Sequence, residues 1–343
     1  MADKKTEPES SRIWENLTAR LMDLKSAPNA DLMRGMVKTL LHMIERGADR
    51  RDLKMAHLAL RESSKAMSVF APYRHVPKVS VFGSARTAPE AASYQMAKQF
   101  AHDIVQRGFM VMTGAGGGIM EAAQAGAGPG NSFGLNIELP FEQHANAYIK
   151  NDPKLTEFRF FFTRKLFFLK ETRALALFPG GFGTLDEGFE ALTLIQTGKS
   201  TPMPIVMLES ETSSYWEEWR AHVKSHLLAR GLISEDDLTL FRICHNVTEA
   251  VDEITGFFKV FHSSYRTRDG VTIWLWRPLV RKEIELLNDT FLDLLGPGGI
   301  VQAYVPKPQL SDSEMDTLSC IEVSMDHRHQ GRLRQLIDAI NKL

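Results

Sequence analysis

The sequence predicts an α/β protein: a doubly wound parallel sheet, with a helical extension before it and a small α+β appendage after it. Three observations predict this. Between residues 78 and 208, short β-branched or apolar runs alternate with helical patterns, the order that builds a parallel sheet covered on both faces. Three of those runs end in turns rich in glycine or other small residues. On either side of this stretch the patterning changes character.

The elements follow in order. Residues 1–11 are charged and weakly hydrophobic, a composition that favours disorder. Helical spacing then runs from residue 13 to about 70: Ile13, Leu17 and Leu21, then Leu32, Met36, Leu40 and Met43, then Leu53, His57 and Leu60, with Pro28 separating the first helix from the second. The stretch from Ala71-Pro72 to Pro77 marks a boundary. Strands are predicted at 78–83, 109–113, 133–139, 174–178 and 204–208, and helices at 89–108, from Ile119, at 162–172 and at 183–197. Right-handed crossovers put the carboxyl ends of all these strands on one edge. From about His262 the pattern becomes strand 271–276, helix 279–295, strands 300–305 and 318–325, and helix 330–341. The expected divisions are 1–75, 76–262 and 263–343.

Composition narrows the function classes. The chain has 343 residues, 43% hydrophobic and 24% charged, which is ordinary for a soluble globular protein and too long for one small domain. A formal net charge of −1 supplies no field that would gather nucleic acid or an anionic membrane, so neither is expected as a partner. Cys244 and Cys320 are far apart and belong to no CxxC or Cys/His cluster, which argues against a disulfide framework or structural zinc and suits a reducing cytoplasm. The polar start MADKKTEPES lacks a secretory core, and no run of about 18 apolar residues is available to cross a bilayer.

Ligands of such sheets sit at the carboxyl edge near the topological switch point. There the first turn offers Gly83, Ser84 and Arg86, for close backbone approach, a hydroxyl and a phosphate partner; strand-to-helix turns of this kind are also common without a ligand. The second turn, Gly114 to Gly118 with Gly116 and Gly117 inside it, presents several N–H groups at a helix start, where an anion is favoured. It matches neither GxGxxG nor a Walker loop, and tight strand–helix packing explains it equally well. The third turn is PGGFGTLDE, residues 179–187. Gly180, Gly181 and Gly183 allow the backbone to wrap a phosphate, Thr184 and free N–H groups can bind its oxygens, and Glu187 follows. Thr184 with Glu187 also reads as a capping box, and spacing alone favours that reading. Finally, Arg164-Lys165 lies near the start of the helix before the fourth strand. Two cations there could neutralise a monophosphate or could be a solvated basic pair.

Together these residues resemble the LOG family, named for plant cytokinin-activating phosphoribohydrolases. The family's PGGxGTxxE string stands at residues 179–187 and its RK at Arg164-Lys165. Strings like those of its bacterial branch read VFGSAR at 81–86, GAGGGIMEAA at 114–123 and GLNIELPFEQ at 134–143. The resemblance covers about residues 77–262. It implies a Rossmann-like fold, a dimer with its site near the subunit interface, and hydrolysis of nucleoside 5′-monophosphates, of AMP or cytokinin-ribotide type, to base and ribose 5-phosphate. By the same resemblance Arg164 and Glu187 are the catalytic pair, while Gly180, Gly181, Gly183 and Thr184 form the phosphate loop. Two departures stand out: Ala115 replaces a usual glycine, and Thr172-Arg173 stands where many relatives have Ala-Asp.

The chemistry expected is an oxocarbenium-like ribosyl cation stabilised by Glu187, which also directs a water, with Arg164 and Lys165 on the phosphate or the departing base. No metal or cofactor enters this scheme. A lysine decarboxylase is not expected, because no Schiff-base lysine with an acid for a pyridine nitrogen is recognisable. The rival expectations are a non-catalytic nucleotide sensor and a carrier of a phosphate-bearing cofactor on the same fold.

Overall fold

A computed structural model describes residues 29–139, 144–303 and 318–343. The helix expected around Ile13, Leu17 and Leu21, and the end of the 134–143 string, lie outside the described residues. Residues 1–61 and 62–343 form two units. The first contains α1 (Ala30–Glu45) and most of α2 (Arg50–Phe70), helices as the spacing predicts. Leu32, Met36 and Leu40 of α1 are exposed.

The second unit begins with the last turns of α2 and contains a seven-stranded sheet. Its elements are β1 (Lys78–Phe82), α3 (Ala92–Gln106), β2 (Met110–Thr113), α4 (Ile119–Ala127), β3 (Ser132–Ile137), β4 (Leu155–Phe158) and α5 (Phe161–Glu171). There follow β5 (Ala174–Leu177), α6 (Phe182–Gln196), β6 (Ile205–Leu208), α7 (Tyr215–His226), β7 (Arg242–Cys244) and α8 (Val247–Phe257). The order is β4-β3-β2-β1-β5-β6-β7, every pair parallel. The chain therefore steps outward from β1 to β4, returns to lay β5 against the other side of β1, and steps outward again. That reversal makes the β1/β5 junction the switch point.

Alternation within the strands divides the core into two layers. Val79 and Val81 of β1 pack with Phe100 and Ile104 of α3, Ala122 and Ala123 of α4, and Ile254 of α8. Phe82, Leu175 and Leu177 face the other way, with Phe167 and Phe168 of α5, Ala191 and Ile195 of α6, and Trp216 of α7. Phe70, at the end of α2, stacks on Phe133 at 4.6 Å. Each β1, β2, β3, β5 and β6 residue is buried, which is why these strands are legible as unbroken runs. β4 and β7 were not foreseen; LTEF and RIC are short and partly exposed.

A second sheet follows: β8 (Phe261–Arg266), β9 (Gly270–Leu275), α9 (Arg281–Thr290), β10 (Leu295–Ala303), β11 (Ser319–Met325) and α10 (Gln330–Lys342). Its order is β10-β11-β9-β8, antiparallel throughout. The expected βαββα gains a leading strand, β8, whose FHSSYR sequence carries no apolar alternation. Ile273, Leu275, Ile321 and Val323 pack against Leu333, Leu336, Ile337 and Ile340 of α10. Both cysteines are buried and free. Among the described residues no helix is long and apolar enough to cross a membrane.

Asn341 closes this appended layer. Its Oδ1 accepts the N–H groups of Val260 at 2.8 Å and Phe261 at 2.9 Å, and its Nδ2 donates to the Phe257 carbonyl. Asn341→Ala leaves these buried backbone groups unmet, and should lower the unfolding free energy by about 2–3 kcal/mol, read as a shift of the urea midpoint.

Candidate functional site

The switch point is held by backbone bonds. Phe178 N–H donates to Phe82 O at 2.8 Å and Ser84 N–H to Pro179 O at 3.1 Å, while Ile119 N–H donates to Ser84 O at 3.0 Å. The three turns singled out in the sequence are thereby brought together at the carboxyl ends of β1, β2 and β5. Close approach dictates two of the glycines. A Cβ on Gly118, whose φ is +61°, would overlap the Ser84 carbonyl, and one on Gly180 would overlap the Thr184 hydroxyl. Gly83 likewise abuts the Ile119 side chain.

Gly181 and Gly183 differ from these. Gly181 is the N-cap of α6, in extended backbone, and Gly183 lies in its first turn. Both are exposed, and a Cβ on either would meet nothing within 4 Å. Neither conformation nor packing requires glycine there, and glycine within a helix is destabilising by roughly 0.5–1 kcal/mol relative to alanine. What a glycine supplies at these positions is an unobstructed approach to the helix N-terminus, where N–H groups and the dipole favour an anion.

The second turn is braced by Asn146, a residue that no sequence pattern singles out. Asn146 Nδ2 donates to the carbonyls of Gly116 at 2.8 Å and Ala115 at 3.2 Å and to Gln124 Oε1 at 2.6 Å, and its own N–H donates to Ala115 O. Ala115 has φ +62°, a left-handed conformation that glycine adopts without strain. The alanine that departs from the family's glycine thus sits in a backbone conformation that favours glycine. Gly114 faces Met120 and Arg164, with Arg164 Nη2 4.0 Å from where its Cβ would stand. Gly117 is half-buried beside Ala85. Ser84 Oγ accepts the Arg86 N–H at 3.1 Å. Tyr215, also unforeseen, donates its hydroxyl to Gly180 O at 2.6 Å.

The acid and the basic pair meet on α5 and α6. The start of α5 is fixed by Glu62, which accepts the Arg159 N–H at 2.9 Å and the Thr163 hydroxyl at 2.6 Å. Arg164 Nη2 then stands 3.8 Å from Glu187 Oε1, and Lys165 Nζ stands 3.8 Å from Glu187 Oε2. Lys165 also bonds Asp186 and Glu190, each at 2.7 Å. Burial opposes its charge, but these two bonds together with the charges of Glu187 and Glu190 outweigh it and raise its pKa. The Arg164 guanidinium lies 5.5 Å from the rings of Phe161 and Phe168. Its Nε is buried with no hydrogen-bond partner among the described residues, and burial lowers its pKa.

Glu187 is 5% exposed. The capping-box reading fails here, because the N-cap is Gly181 with no side-chain bond, placing Thr184 and Glu187 inside the helix. Thr184 is buried against Gly180. At 3.8 Å the two cations are within ion-pair range of Glu187 and beyond hydrogen-bonding range. Burial therefore prevails over the charges of Lys165 and Arg164, and pushes the Glu187 carboxyl up to about 7.

The folded chain holds the Glu187 proton more tightly than the unfolded one, so this group subtracts stability as pH rises from about 4.5 to about 7. Glu187→Gln should accordingly unfold at a higher temperature than the parent at pH 8, with the difference disappearing below about pH 4.5, as followed by thermal melts across pH.

Residues 115–254 match the family profile described as "possible lysine decarboxylase". The match is consistent with the LOG resemblance read from the sequence. It contains Arg164, Lys165, Glu187 and the glycine turn at 179–184, and begins after the turn at 83–86. No curated protein matches the chain. Among solved structures, the molybdenum cofactor carrier protein from Chlamydomonas reinhardtii is similar at 19% identity and TM-score 0.37, over 53% of this chain and 97% of its own. The molybdenum cofactor binding protein from Rippkaea orientalis is similar at 18% identity and TM-score 0.36, over 53% and 96%. DNA processing protein A from Helicobacter pylori is similar at 15% identity and TM-score 0.36, over 51% and 79%.

Proposed function

We propose that this site hydrolyses the N-glycosidic bond of nucleoside 5′-monophosphates, giving the free base and ribose 5-phosphate. A nucleotide-related or cofactor-carrier role fits the family match, and one observation supports the hydrolase over the carrier. Glu187 is a buried carboxyl, pushed up to about 7, with no donor at hydrogen-bonding distance among the described residues, beside turns suited to an anion. A site that only held a phosphate would gain nothing from a carboxylate there, since like charges repel.

In this reading the phosphate rests on the N–H groups at the start of α6, admitted by Gly181 and Gly183, with Gly180 and Thr184 shaping the turn. Gly83, Ser84, Gly114, Gly116 and Gly117 line the neighbouring turns. That grip, remote from the broken bond, orients the ribose. As the C1′–N bond breaks, the base leaves with the electron pair and C1′ gains positive charge, which ionised Glu187 stabilises. A water adds its oxygen to C1′ and yields a proton to Glu187, which returns one to the base. Arg164 neutralises phosphate or base, and Lys165 holds Asp186 and Glu190 in place around the acid.

Incubation with AMP followed by chromatography should show adenine and ribose 5-phosphate. Glu187→Gln should lower kcat by roughly a thousandfold with AMP still bound, and the parent's kcat should rise with pH through about 7 as the carboxyl ionises. Gly183→Ala should be slightly stabilising yet weaken AMP binding. Tight AMP binding with no base released would instead establish a sensor or carrier.

We also propose a homodimer that covers α5 and the start of α6. Phe161, Phe162 and Leu166 are more than half exposed, and Phe182, between the two open glycines, is 94% exposed. The helices bearing them are joined by Lys165, so these side chains form an apolar surface of the kind that marks an interface. Sedimentation should give a dimer, and the double substitution Leu166→Asp/Phe182→Asp a monomer; a monomeric parent would remove the proposal.

A further inference from the structure

A cavity of about 500 Å³ lies at the opposite edge of the main sheet, beside the second sheet. Its walls include Arg74, Lys78, Lys170, Arg173, His262 and Trp276. Lys78 opens β1 and Arg173 immediately precedes β5, so the cavity is at the amino ends of the strands whose carboxyl ends carry the candidate site. None of the residues assigned above to phosphate or chemistry lines it. We infer that this cavity is a second ligand site, taking a nucleoside di- or triphosphate.

The charge balance favours a polyanion. Four Arg or Lys side chains face one carboxylate, Glu171, which is already paired with Lys78 at 3.7 Å and with Lys170. Lys78 is 2% exposed and also donates to the carbonyls of Tyr73 at 2.7 Å and Val76 at 3.1 Å. Arg173 is the decisive residue. Its guanidinium lies 4.7 Å from the Phe258 ring and donates to the His262 carbonyl at 2.6 Å. Among the described residues no carboxylate stands within ion-pair distance of it, and burial opposes its charge. A partly buried cation answered by one neutral carbonyl loses part of its hydration, and a bound anion offsets that cost.

The rest of the wall argues for a planar ring on the same ligand. Trp276 is half exposed, with the His262 imidazole set edge-on at 4.6 Å. The exposed indole offers a face on which a base can stack. A volume of about 500 Å³ lies in the range of sites for small organic ligands and exceeds what inorganic phosphate would fill. The departure from the related sequences at Thr172-Arg173 falls here. Thr172 is absorbed structurally, its hydroxyl donating to Ala174 O and accepting the Ser80 N–H, whereas Arg173 faces the cavity.

Calorimetric titration of the full-length protein with ADP, ATP, GDP, GTP and inorganic pyrophosphate tests this. At least one nucleotide should bind, and Arg173→Met should weaken it by about tenfold or more, the equivalent of one lost charge contact of about 1.4 kcal/mol. Because Arg173→Met could disturb folding, the surface double variant Arg74→Glu/Lys170→Glu provides a parallel measurement with the same expected loss. Trp276→Ala should weaken the nucleotides and leave pyrophosphate unchanged. Absence of binding by every probe up to about 1 mM, a limit of roughly −4 kcal/mol, would overturn the inference. So would binding that is indifferent to these variants but lost in Gly183→Ala, since it would then belong to the glycine turns.

Discussion

The structure depends on the contact between β1 and β5. These strands are separated in sequence by three other strands, yet Phe178 donates to Phe82 and Ser84 to Pro179 across their carboxyl ends. Parallel pairing forces the chain to cross over before it can add a neighbour, and the reversal of direction at β1 leaves the turns after β1 and β5 facing each other with no strand between them. Glycine at 118 and 180 is the steric condition for that closeness. Once it is met, the start of α6 and the start of α5 converge, and an acid that would be unremarkable on a surface helix becomes buried between two cations.

The electrostatics of that convergence are asymmetric. Lys165 is shared among three carboxylates and has two close bonds to Asp186 and Glu190, so its position is fixed. Arg164 has rings on its faces and an unbonded Nε. Glu187, between them, is held at a distance from both. Its proton affinity is thus set by desolvation more than by its neighbours, an arrangement that sacrifices stability above neutrality to keep a carboxyl near its titration point.

The fold was legible where burial was two-sided. VFG, MVMT and ALAL read as strands because every side chain is apolar or small, and the glycine turns were visible as departures from periodicity. β4, β7 and β8 were missed, being short or half exposed, so that their pairing partners define them more than their composition does. The location of the catalytic candidates was legible, but their local role was not. Spacing suggested a cap at Thr184, and the N-cap is instead Gly181, because the glycine turn enters the helix three residues earlier. Asn146 and Glu62 escaped notice for another reason: each acts on groups far away in sequence, Asn146 on a turn 31 residues earlier and Glu62 on Thr163 101 residues later. No local pattern encodes such a contact.

One helix has a geometric consequence beyond its packing. The eleven residues of α5 make a rod about 16 Å long. Its first half holds Arg164 and Lys165, and its last turn holds Lys170 and Glu171, toward opposite edges of the sheet. The two charged clusters, one beside Glu187 and one in the wall of the cavity, therefore share a single continuous hydrogen-bonded element. Were ligands at the two edges to influence each other, the influence would be equal in both directions, and α5 is the element that touches both.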